Sequence, residues 1–141
     1  MTTAVLTAIG RSVSTREVKR SRTRRKTRVS VSDTGAQGNK SSSDPSISTD
    51  GTKVAFYSTA TGLVSGDTNS RGDIFVHDRT SGTTVRASLT DSDGQANDAS
   101  SNPWLSGDGS AIAFQSVATN LVPEDTDATT EVYVRGPSMA Q

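Results

Sequence analysis

The chain of 141 residues has the length of one ordinary domain, and it holds no cysteine and a single histidine. That excludes disulfides, thiolate zinc sites, cysteine nucleophiles and every two-histidine metal motif. Leu, Ile, Val and Phe make up only about 18% of the residues, lean for a packed core, but 15 basic groups balance 15 acidic ones, so the high net charge of a disordered chain is missing and a fold of small, Ser/Thr-rich strands stays open.

Nine of the basic residues lie between Arg11 and Arg28 with Glu17 as the only acid among them, which makes residues 1–28 strongly basic and the remainder equally acidic. Residues 1–27 read as a basic tail, disordered or helical. Such a run can hold phosphates or an anionic lipid surface, yet it lacks interleaved aromatics for base stacking, so nucleic-acid binding is disfavoured. Residues 1–10 have neither a leading charge nor an unbroken apolar stretch, and no signal peptide is read there. No apolar run is long enough for a membrane-spanning helix.

Sliding the chain against itself gives a register of 58 residues without a gap. Pro45 meets Pro103, Arg28 meets Arg86, Gln37 meets Gln95, Asn39 meets Asn97 and Asp50-Gly51 meets Asp108-Gly109, and about 21 of the 51 positions from 28 to 78 are identical. Low-complexity Ser/Thr matching cannot give this, since Pro, Gly, Phe, Asp and Leu match at fixed spacing. One supersecondary unit is therefore used at least twice, over 28–85 and 86–135, with 136–141 as a C-terminal tail.

The apolar pattern alternates or runs in short β-branched blocks, so each unit reads as all-β. The first unit predicts strands over 45–48, 53–58, 73–79 and 83–89, with Asp50-Gly51 supplying two positive backbone angles for a tight hairpin. The second predicts strands over 103–106, 111–116 and 131–135 and stops there, while 27–32 aligns with a fourth strand and precedes the first unit. Eight strands make two four-stranded antiparallel blades, an incomplete β-propeller. Val54, Phe56, Ile74 and Val76, with Ile112, Phe114, Val132 and Val134, are expected to face neighbouring sheets.

The strings Pro45-Ser46-Ile47-Ser48-Thr49-Asp50-Gly51-Thr52-Lys53-Val54-Ala55-Phe56 and Asp73-Ile74-Phe75-Val76-His77-Asp78-Arg79 resemble the WD-repeat-like blades of the TolB-type propeller family. The second unit repeats the pattern in Pro103-Trp104-Leu105-Ser106-Gly107-Asp108-Gly109. The resemblance covers residues 28 to about 135 and implies a bacterial, periplasmic or secreted protein-binding or scaffold propeller, with no catalytic residue in the blade motif. Family members carry five or more blades. The chain is thus expected to be a fragment, or a piece that completes a propeller as a homo-oligomer of three or four copies. A protein partner is expected, a glycan is admitted, and no cofactor is called for. The competing reading is a fragment of a larger propeller-containing enzyme, a peptidase accessory propeller or a polysaccharide lyase.

No catalytic or metal-binding residue is assigned, although several positions have suggestive spacing. Asp67, Asn69 and Asp73 have the spacing of calcium-loop positions 1, 3 and 7, with Gly72 at position 6, whereas Arg71 occupies position 5 and the shorter Asp78 stands at position 12. Turns closed by Asx side chains are the preferred account. His77 beside Asp78 reads as an ordinary strand position, because adjacent strand residues point to opposite faces. Arg71-Gly72-Asp73 and the sequon Asn39-Lys40-Ser41 carry little weight as short matches. Trp104, opposite Ser46 in the register, is either a core filler or an exposed binding aromatic, and the core is the preferred reading.

Overall fold

The computed structural model describes residues 25–136. The tail expected over 1–27 lies almost entirely outside them, as does all but Gly136 of 136–141. The described residues form seven strands and no helix: β1 (Ser42–Ile47), β2 (Lys53–Ser58), β3 (Asp73–Asp78), β4 (Thr84–Arg86), β5 (Ser100–Leu105), β6 (Ile112–Ser116) and β7 (Glu131–Arg135). They make two antiparallel sheets, ordered β1-β2-β3-β4 and β5-β6-β7, with each strand beside its neighbour in sequence.

The registers match at the 58-residue spacing. Ala55 pairs with Val76 and Phe56 with Phe75, as Ala113 pairs with Val134 and Phe114 with Tyr133. This alternation corrects the expected grouping of apolar residues. Phe56 lies on one face with Phe75, rings 5.8 Å apart, and is joined by Ala60 and Leu63. Ile74 and Val76 point the other way with Ala55 and meet Leu105, Ile112 and Phe114 of the second sheet in one shared core. An antiparallel pair matches residues across the strands, so a face assigned by sequence offset alone goes wrong by one residue. Ile74, Ile112 and Phe75 are fully buried, each stabilising the fold by about 1.5–3 kcal/mol. Val132 and Val134 are instead 70% and 73% exposed, because no third sheet covers β7 among the described residues.

Four further expectations are corrected. β1 and β5 start three residues early, carried through a bulge at Asp44 (φ +52°) and Asn102 (φ +51°), short polar residues that tolerate the left-handed region. At the β1–β2 hairpin the positive φ belongs to Gly51 alone (+72°), and the turn is closed by the Gly51 N–H donating to the Ser48 carbonyl at 2.9 Å. β4 is three residues long rather than seven. The Ile74 N–H goes to Ser88 Oγ (3.1 Å) instead of a backbone carbonyl, which ends the ladder and frees the chain to cross to the second sheet. Residues 27–32 form no strand, only the isolated bridge Val31–Gln37, reproduced at Leu89–Gln95. A ladder needs a neighbour, and Val31 and Asp33 spend their acceptors on Thr84 instead, taking its Oγ1–H and its N–H, both at 2.6 Å. The sheets accordingly have four and three strands and do not close into a ring.

Candidate functional site

The most concentrated chemistry lies where the two sheets join. Arg86, the last residue of β4, stands opposite Phe75 of β3, and its side chain is 6% exposed. Its Nη1 lies 3.7 Å from Asp67 Oδ1 and 3.5 Å from Asp73 Oδ2, carboxylates almost entirely removed from solvent, and donates at 2.7 Å to Gln95 Oε1. That Gln95 oxygen also accepts the backbone N–H groups of Thr68 and Asn69, at 2.9 and 3.2 Å. The loop leaving the second bridge is thereby tied to the loop between β2 and β3.

Burial pushes the carboxyls of both Asp67 and Asp73 above the usual range, and for Asp67 the neighbouring Asp73 charge adds to it. Arg86 opposes the shift at both. At Asp73 so do the Ser88 hydroxyl, donating to Oδ1 at 2.7 Å, and the Asn69 amide, donating to Oδ2 at 3.0 Å. A guanidinium held by two buried acids acts as a fixed internal cation. The hydroxyl of Ser88 and the carboxylates of Asp67 and Asp73 are buried. The cluster can lock two sheets in one geometry.

The calcium-loop spacing resolves here. Asp67, Asn69 and Asp73 do come together, but Asn69 turns its amide nitrogen toward Asp73 and spends its oxygen on the Arg71 N–H at 3.0 Å, while Arg86 stands between the carboxylates. Among the described residues no group of three His, Cys, Asp or Glu side chains could hold a metal ion. Gly72 is not left-handed. A methyl group there would run into the Tyr57 ring, so this glycine serves a close approach and not a metal-loop turn. Asp73 is fully buried, which removes Arg71-Gly72-Asp73 as a displayed tripeptide.

His77 is buried and bonds through Nδ1 to Thr84 Oγ1 at 2.8 Å across the β3–β4 pair, and burial lowers its pKa. Asp78 instead accepts the N–H groups of Thr80 and Ser81. Asn39 is engaged with Thr61, its amide donating to Oγ1 at 3.0 Å and its oxygen accepting the Thr61 N–H at 2.9 Å. Trp104 is 76% exposed and fills no core, a correction that follows from its place on β5, opposite Ala113 of β6, on the uncovered face of the second sheet.

Sequence reasoning missed the roles of Arg86, Gln95 and Ser88. The signal was present in the register, because Arg28 and Gln37 match Arg86 and Gln95, and Arg28 Nη1 donates to Gln37 Oε1 at 2.6 Å just as Arg86 does to Gln95. No protein-family model and no curated protein matches the chain.

Proposed function

We propose that this chain is a non-catalytic segment of a β-propeller, in which blade-like sheets stack to make a protein-binding or scaffold surface. The observation that carries the reading is the way one sheet lies on the next: a shared apolar core, with the Leu105 N–H bonded to Ser46 Oγ (2.9 Å) and the Thr49 N–H to the Gly107 carbonyl (2.7 Å), joins units repeating at one spacing. Polar side chains are consumed in turns and in the Arg86 cluster, which favours a framework over a reaction centre. Four large apolar residues, Ile47, Trp104, Val132 and Val134, stay exposed and offer contact area of the kind interfaces use.

The test pairs turnover with retention. The full chain is assayed against unstructured peptides and acidic polysaccharides, and it is immobilised beside a Trp104→Asp, Val132→Asp variant and challenged with cell extract. No turnover, and bound protein lost only from the variant, are expected. Turnover would favour the enzyme-fragment reading, and identical retention by both forms would remove the binding surface.

A further inference from the structure

The Arg86 cluster has a half-built counterpart at each end of the described chain. At the 58-residue spacing Asp67 and Asp73 become Asp125 and Glu131, which share the Tyr133 hydroxyl at 2.6 and 2.9 Å. Arg86 and Gln95 become Arg28 and Gln37, already bonded to each other, with Arg28 exposed. Among the described residues, one end holds acids in need of a guanidinium, and the other holds a guanidinium with its glutamine but no acids.

The apolar surfaces divide the same way. Val132 and Val134 are exposed where their counterparts Ile74 and Val76 are buried at 0% and 3%. Ile47 is 57% exposed where its counterpart Leu105 is 4%. Trp104 occupies on the second sheet the place from which Ser46 bonds across to Leu105. A cleft of about 180 Å³ opens on the first sheet beside Val29, Pro45 and Phe56, whereas their counterparts Ala87, Pro103 and Phe114 are all buried, Ala87 and Phe114 in the inter-sheet core. A second cleft, of about 280 Å³, runs along β7 between Asp91 and Tyr133, and no strand pairs with the outer edge of β7 among the described residues.

Resting on the stacked-unit reading, we infer that a second copy of this chain docks head to tail, its Lys26–Arg28 segment lying along β7 and its Arg28 seated between Asp125 and Glu131. The first sheet of the incoming copy then covers Val132 and Val134 as the second sheet already covers Ile74 and Val76 within one chain. Charge favours the match: Asp91, the counterpart of the Asp33 that holds Thr84, faces the incoming Lys26, and Arg135, opposite Lys26 in this register, is already neutralised by Asp93 at 2.6 Å. The contact is a strand addition combined with a sheet-face contact, and it is heterologous, so repetition gives a ring or a filament.

Sedimentation of the full chain over a wide concentration range tests this, with circular dichroism to show that each variant is folded. Mass above the 14.7 kDa of one chain is expected. Arg28→Glu and Glu131→Arg should each weaken association by about tenfold or more, and the double variant should recover most of it. Val134→Asp should abolish association without touching any charge pair. A single-chain mass at every concentration overturns the proposal, including when residues 1–24 of the same chain cover the faces. So does an assembly indifferent to all three single substitutions. Either result leaves the binding-module reading to its own retention assay.

Discussion

A glycine beside a tyrosine shows how much one residue can decide. Gly72 lies where a side chain would collide with the Tyr57 ring, and Gly72 also passes its carbonyl to the Ser100 N–H of β5 at 2.9 Å. Gly72→Ala must therefore displace either an aromatic ring or the junction between sheets. It is expected to cost about 1–3 kcal/mol in a denaturant titration. In a Tyr57→Ala background the same substitution should cost less, since the obstructing ring is gone. The sequence register gives no hint of this role, because the positions matching Gly72 and Tyr57 are Thr130 and Gln115 and the collision exists in one unit only. Spacing alone places Gly72 at the turn position of a calcium loop. Its backbone angle shows that packing, not turn geometry, keeps it.

At the scale of the element, the hairpins are held by a carboxylate set between hydroxyls. Asp50 Oδ1 accepts the Thr52 N–H, the Ser48 hydroxyl and the Thr52 hydroxyl, and Asp108 repeats the set with Ser110 and Ser106. These bonds hold both carboxyls down at about 2, the backbone N–H contributing most. A folded value below the unfolded one means that the stabilisation is complete above pH about 4 and is lost as pH falls toward 2. Carboxyl titration followed by NMR should place both midpoints near pH 2, and Asp50→Asn should remove that pH dependence from the first turn. Although the strand expected over 27–32 is only an isolated bridge, seven of the eight expected strands and both hairpin positions were legible from the alternation and from the two Asp-Gly pairs. The bulges were not, because a left-handed Asp or Asn looks like any loop residue until a partner strand fixes the count on the other side. The short β4 was hidden for a related reason: Val85 and Leu89 read as one apolar run, and only the Ser88 hydroxyl, replacing a backbone acceptor, shows where pairing ends.

For the molecule as a whole, the joint between sheets depends on a buried ion cluster as well as on the apolar core. Arg86→Met keeps the bulk of the side chain and leaves two buried carboxylates without their cation, and a loss of about 3–5 kcal/mol is expected in chemical denaturation. With Asp67→Asn and Asp73→Asn added, most of that loss should return, because the penalty comes from the stranded charge. The 58-residue register made the stacked arrangement legible, but the cluster had to be seen in space, since its members come from the β2–β3 loop, the strands β3 and β4, and the crossing to the second sheet. Within each sheet every strand pairs with the one made just before it. Pairing within a sheet can therefore follow the emerging polypeptide, whereas the contacts between sheets, such as Ser46 with Leu105, wait for the second unit. The first sheet has all its strands by the time Arg86 is translated, and Gln95, nine residues later, is the first of the tethers to the sheet that follows.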